Sequence, residues 1–274
     1  MRQLFLLLLL SNMAWAIDRG SSPTTLLRPV CSRSHEYALK LLNTRGMSMG
    51  IANPNGSFGT GLCWWQSRFH RAALYLMTFN AEAPKPSSSE ARAIMNQVAH
   101  FKPVTVPGFA DLLSFTQSFP KELESVLSNW ELRDTTSNPI RPIANWMSVK
   151  LNSKSYLSRL ANQNAYDLLQ DMQATPRPIF VYIEGGSFEH AILAISYQEE
   201  PDHSVTLKYI DSNSPEVISS SKLLDTQGSF VNSSFNFGKN ENSYFLHQGF
   251  DEDFGRIEKG LRTVCGSNYQ IKFR

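Results

Sequence analysis

The feature that most constrains the fold is a change of hydrophobic period at Thr175-Pro176-Arg177-Pro178. Before it, apolar residues recur at helical spacing; after it, they come in short β-rich runs or alternate with polar neighbours. Trp65, Phe69, Ala72, Ala73 and Leu76 form one helical stripe that begins at Cys63. Ser34 to Leu42 carries the same spacing, and Gly46 and Gly50 then break it. Ser87 and Glu90 stand at capping-box spacing ahead of a helix running toward His100. Pro120 sits where a first helical turn tolerates it, before a helix over Lys121 to Leu132, and Thr135 to Pro142 reads as a loop. Ser155 to Met172 is a further amphipathic helix.

Past the break, Ile179 to Ile183 is a strand. His190 to Tyr197 is almost wholly apolar, as in a strand covered on both faces. Glu199 to Ser204 holds a Pro-Asp turn signal, and Val205, Leu207 and Tyr209 then alternate with Thr206 and Lys208 as a half-buried strand. Helices first and strands second make an α+β protein. The expectation is one domain over 17–274, mainly helical to about residue 173 and mainly β from about residue 174.

The start of the chain reads as an export signal over residues 1–16. Arg2 is followed by the apolar run Phe5 to Leu10 and by Ala14-Trp15-Ala16, an A-x-A cleavage pattern. That run is too short to span a bilayer, and no second long apolar segment follows. With 26 basic against 24 acidic side chains, the charge balance gives no electrostatic reason to expect nucleic acid or an acidic membrane surface as a partner. The sequons Asn55-Gly-Ser57 and Asn232-Ser-Ser234 match a glycosylation pattern. The first would put a glycan beside Cys63, which favours a bacterial origin and a periplasmic or secreted protein.

Three cysteines in an exported chain is an odd count. Oxidising compartments favour pairing, and chain termini often lie close together. Cys31, near the mature start, is therefore expected to pair with Cys265, near the end. The alternatives are a Cys31–Cys63 bridge or three thiols. The first pairing leaves Cys63 as a thiol.

Three segments carry chemistry. The turn-dense loop Ile51 to Leu62 runs into the helix headed by Cys63. A thiol does acyl chemistry as a thiolate, and a helix N-terminus places partial positive charge at such a sulfur. His190 heads an apolar strand, where an imidazole would face out of the strand mouth as a base. Asp211 ends the next strand and could hold the second ring nitrogen, with Asn213 as a rival. An even-numbered turn between the strands would set Asp211 directly opposite His190, on the same face. His70 lies two turns along the helix from Cys63 and reads as structural, and His203 falls in the hairpin turn. No cysteine or histidine spacing matches a metal site, and no phosphate-binding glycine motif is present, so neither metal nor cofactor is expected.

The ordered set resembles the papain-like cysteine peptidases. Gly61-Leu62-Cys63-Trp64 is similar to that family's Gly-Ser-Cys-Trp. His190-Ala-Ile-Leu-Ala-Ile-Ser-Tyr197 is similar to its His-Ala-Val-x-x-x-Gly-Tyr. The resemblance runs from about Asn53 to Pro215. It implies a two-lobe fold and a hydrolase acting on a protein or peptide substrate through a Cys63 thioester, with His190 as general base and acid and Asp211 orienting it. The chain departs from the family at the oxyanion glutamine, where Ser57 stands six residues before the cysteine. The Cys63 backbone N–H remains one donor; Asn55 is the candidate for the second, with Asn53 behind it. A transglutaminase-like acyltransferase shares the Cys-His-Asp order but usually has a shorter Cys–His separation. A catalytically silent papain-fold binding protein is the third reading.

Overall fold

The computed structural model describes residues 28–54, 61–137, 153–184, 189–231, 244–247 and 251–271. The expected signal segment, both sequons and Asn55 lie outside them.

The helical part opens with a 3₁₀ turn at Arg28–Ser32 and α1 (His35–Leu42), whose N-cap Ser34 accepts from the Tyr37 N–H. A second 3₁₀ turn follows at Arg45–Met47. Then come α2 (Cys63–Leu76), β1 (Met77–Asn80), α3 (Ser88–Ala99), β2 (Val104–Pro107), α4 (Leu112–Ser118), α5 (Pro120–Ser137) and α6 (Lys154–Ala174). The capping box of α3 is complete: Ser87 Oγ accepts from the Glu90 N–H while Glu90 Oε2 accepts from the Ser87 N–H at 2.8 Å. The loop expected over Thr135 to Pro142 does not begin at Thr135, because α5 continues through Ser137; the rest of that stretch lies outside the described residues. A short parallel pair, β1 with β2, lies among the helices and was not anticipated.

The strands β3 (Ile179–Glu184), β4 (Glu189–Glu199), β5 (Val205–Asp211), β6 (Ile218–Leu224) and β7 (Tyr244–His247) form one sheet in the order β6-β5-β4-β3-β7. Every neighbouring pair is antiparallel. The α+β class is therefore observed. A final helix, α7 (Asp251–Cys265), interrupts the expected β character of the C-terminal region.

The sheet is covered on both faces, as the apolar run at His190 to Tyr197 implied. Ile179, Val181, Ile183, Ile192, Ala194 and Leu207 pack with Ala161, Ala165, Leu168 and Met172 of α6. Leu193, Ile195 and Ile210 join the helical core around Phe69, Leu74 and Trp130. At roughly 25 cal/mol per Å² of apolar surface, each fully buried side chain of this kind contributes about 1.5–3 kcal/mol, and this burial joins sheet to helices.

Helix α2 is buried all round rather than along one stripe, since Gln66, Ser67, Arg68, His70 and Arg71 are buried with the apolar face. Its charges have partners. Asp253 of α7 accepts from Arg68 Nε and Nη2 and from Arg71 Nη2, each at 2.9 Å, and Arg68 Nη1 also reaches Asp134 of α5 at 2.7 Å. The arginines hold the Asp253 carboxyl below its ordinary range against the opposing effect of burial. At the far end of α2, the buried Arg33 guanidinium donates to the carbonyls of Leu74 and Met77. Burial lowers its pKa to about 10, while its charge faces the negative end of the helix. Cys31, two residues earlier, is bonded to Cys265 across Cα atoms 5.5 Å apart. The two ends of the described chain thus close around the C-terminal end of α2.

Candidate active site

Cys63 is the first residue of α2, and the helix begins there because the loop before it is locally pinned. The Leu62 N–H donates to Pro54 O at 3.0 Å, and the Gln66 N–H closes the first helical turn on Leu62 O at 2.9 Å. Leu62, at the N-cap, makes no side-chain hydrogen bond to the first turn, so it does not itself cover the positive end of the helix. Gly61 lets Asn53 pack close: a Cβ there would sit 2.4 Å from Asn53 Nδ2, and the Asn53 carboxamide would have to shift. Asn53 is in turn fixed by its backbone N–H, which donates to Ser212 O at 2.8 Å. Its carboxamide therefore lies against the glycine two residues ahead of the thiol.

The structure brings Cys63, His190 and Asp211 together. His190, second in β4, donates from Nε2 to Asp211 Oδ1 at 2.7 Å. The ring is also hydrogen-bonded to Cys63, which leaves Nδ1 as the nitrogen on the sulfur side. Burial acts against the imidazolium. The Asp211 hydrogen bond, followed by the hydrogen bond and charge of Cys63, outweighs it and pushes the His190 pKa up to about 9. Asp211 Oδ1 also accepts from the Asn213 backbone N–H at 2.7 Å. The rival orienter thus holds the carboxylate instead of the imidazole.

The register differs from the sequence expectation. Asp211 lies opposite Ile192, so His190 is its diagonal neighbour rather than its direct partner. The loop between Glu199 and Val205 contains an odd number of residues, which by itself would put the two side chains on opposite faces. A β-bulge between Ala194 and Ser196 inserts Ile195 and reverses the parity. On the turn side Tyr197 packs toward α6, as does Leu207; past the bulge Ile192 and Ala194 do so, while Leu193 and Ile195 face α2. One extra residue therefore returns His190 and Asp211 to a shared face.

Around the sulfur, Trp64 packs edge-on against Phe180 and Tyr182, with ring centroids 4.9 and 5.1 Å away, and these residues form one cluster with Cys63 and Ala191. Trp65 turns away and donates from Nε1 to Asp134 at 3.2 Å. The three site residues are deeply placed: Cys63 is 6% exposed, His190 4% and Asp211 8%. His70 is a satisfied core residue whose Nε2 bonds Met47 O at 2.7 Å, and burial lowers its pKa to about 4. The side chain of His203 is exposed in the hairpin turn.

Sequence reasoning missed Gln66, which follows Cys63 by one helical turn. The signal was available, since a glutamine this close to an apolar stripe needs hydrogen-bond partners. Among the described residues, no cluster of three His, Cys, Asp or Glu side chains is arranged to hold a metal, and no helix is long and apolar enough to cross a membrane. No protein-family model matches the chain, and no curated protein or solved structure matches it either.

Proposed function

We propose that the protein is a thiol hydrolase of papain-like two-lobe design that cleaves peptide or isopeptide bonds. The observation that carries this reading is the connected hydrogen-bond chain Cys63–His190–Asp211, built from a helix start, a strand mouth and a strand end. In the reaction, the Cys63 thiolate attacks the substrate carbonyl carbon. The negative charge that develops on the carbonyl oxygen needs donors, and the Cys63 backbone N–H supplies one. Asn53, whose carboxamide flanks Gly61, is our candidate for the second. The His190 imidazolium then protonates the leaving amine, leaving a thioester on Cys63. Neutral His190 next takes a proton from water, whose oxygen attacks the thioester, and the thiol is regenerated with the acid product. Asp211 keeps Nε2 bonded throughout, so that Nδ1 stays aimed at the sulfur.

An exported setting, periplasmic or secreted, is supported by the Cys31–Cys265 bridge, since disulfides persist in oxidising compartments.

The burial of all three groups favours a second reading, a catalytically silent binding protein on the same scaffold. An iodoacetamide probe separates the two. A hydrolase labels at Cys63, loses the label in Cys63→Ala and labels far more slowly in His190→Ala. Labelling that persists in Cys63→Ala and ignores His190→Ala refutes the hydrolase.

A further inference from the structure

The candidate site is assembled from three stretches of chain: the loop at Ile51 to Pro54, the start of α2 just after it, and, far along the chain, the start of β4 with the end of β5. One buried side chain touches all three. Gln66 lies on α2 one turn past Cys63, at the spacing that puts two helical residues on one face. Its Nε2 donates to Ile51 O at 2.9 Å and to Ser212 O at 3.3 Å. Ser212 is the residue after Asp211, and its carbonyl also accepts the Asn53 N–H at 2.8 Å. Both donors of the amide group are thereby used, which fixes the amide orientation. The other half of the amide is left over: Oε1 is buried and has no hydrogen-bond partner among the described residues. Gln66 is 1% exposed, so the residue keeps an unsatisfied acceptor in order to place two donors.

A ring of contacts results. Cys63 is held to Gln66 by the first turn of α2, Gln66 to Ser212 by the amide, Ser212 to Asp211 by the chain, Asp211 to His190 by the 2.7 Å bond, and His190 to Cys63 by its second hydrogen bond. Two longer contacts reinforce it, with Ser67 Oγ and Ser212 Oγ each 3.4 Å from Ala191 O, beside His190.

We propose that Gln66 is a positioning residue for the thiol chemistry, fixing the distance between the Cys63 helix and the Asp211–His190 pair. The proposal rests on the reading of Cys63, His190 and Asp211 as the reacting groups. It assigns Gln66 no contact with substrate. Its effect is indirect: without the two bonds, α2 and the end of β5 can shift relative to one another, and a displacement of about 1 Å in such a site can cost roughly a hundredfold in rate.

The test uses the full chain with Gln66→Met, which keeps the volume and removes both donors, and Gln66→Asn, which keeps the amide but withdraws it by about one bond length, ~1.5 Å. Two quantities are measured on each: the second-order rate of Cys63 alkylation by iodoacetamide at pH 7, and the His190 titration midpoint by ¹⁵N–¹H NMR. Both variants are expected to slow alkylation roughly ten- to a hundredfold and to lower the His190 midpoint, because the ring loses its hold on Cys63 and Asp211 together. A role in packing alone would leave the midpoint of the folded protein where it is. If Gln66→Met does not fold, Gln66→Asn decides. Wild-type rates and midpoint in a folded variant overturn the proposal while leaving the hydrolase reading intact. A wild-type Cys63 that reacts no faster than an ordinary thiol, with or without His190, removes the hydrolase reading and this proposal with it.

Discussion

Replacing Asp211 by alanine should lower the proton affinity of His190 by about one to two pH units. The starting point is the His190 pKa, raised from 6.5 to about 9 although burial opposes the charge. That interval corresponds to about 3 kcal/mol at roughly 1.4 kcal/mol per pH unit. A hydrogen bond to a charged group contributes about 1.5–3 kcal/mol, so the 2.7 Å bond to Asp211 accounts for much of the interval. The Asp211→Ala midpoint is then expected between about 7 and 8, because Cys63 still supports the charge. The assay is ¹⁵N–¹H NMR of imidazole-labelled protein from pH 5 to 10, with His190 identified by the signal missing from His190→Gln. The order of contributions gives a second check: Cys63→Ala should lower the midpoint by less than Asp211→Ala. The consequence for stability has a fixed sign. The folded value lies above the unfolded one, so the stabilisation by the imidazolium is complete below pH 6.5 and is lost as pH rises through about 9. A wild-type midpoint near 6.5, or one that Asp211→Ala leaves unchanged, would refute the reasoning.

Three further outcomes are expected. His70 is folded in its neutral form with a pKa near 4 against 6.5 unfolded, so stability should fall by about 3 kcal/mol between pH 6.5 and 4; urea midpoints in His70→Gln, which retains a donor for Met47 O, should show a shallower acid slope. Cys31→Ser with Cys265→Ser opens a bridge spanning 234 residues, which in the chain-entropy model lowers stability by about 5 kcal/mol; denaturation of the wild type with and without reductant should show a loss in the same direction. Asp253→Ala removes the carboxylate shared by two buried guanidinium groups, leaving Arg68 its Asp134 partner, and should cost about 3–5 kcal/mol, read as a lower urea midpoint.

Much of the fold was legible because the deciding signals are local. The Ser87–Glu90 box starts α3, Pro120 starts α5, and the Pro-rich break at Thr175 to Pro178 separates α6 from the first strand of the sheet. Elements that depend on distant partners were not legible. The polar face of α2 looks solvent-facing in sequence, because nothing near Arg68 and Arg71 announces that Asp253, more than 180 residues away, will bury with them. Helix α7 does carry an apolar stripe, Phe254, Ile257 and Leu261, but Gly255 and Gly260 within it lower its helix propensity and mask the signal. The same division holds in the site. Cys63 at a helix start and His190 at a strand mouth follow from local pattern, whereas Gln66 acquires meaning only when Ile51 and Ser212 are brought to it.

The bulge at Ile195 shows why the third member of the site was the hardest to place. Side chains alternate along a strand, so whether His190 and Asp211 share a face depends on counting every residue through the hairpin. The loop has an odd count, and the bulge restores the parity that the site requires. No feature of the apolar run at His190 to Tyr197 marks which residue is the extra one. The pairing itself does: Ala194 opposes Tyr209 and Ser196 opposes Lys208, so Ile195 has no partner across the ladder. Deleting Ile195 should therefore leave both flanking registers intact. The His190 midpoint should stay near 9 while stability falls by about 2–5 kcal/mol, the usual cost of removing a buried Ile side chain. A collapse of the midpoint toward 6.5 in a folded deletion variant would show instead that Ile195 itself, and not the register it sets, holds the histidine against its carboxylate.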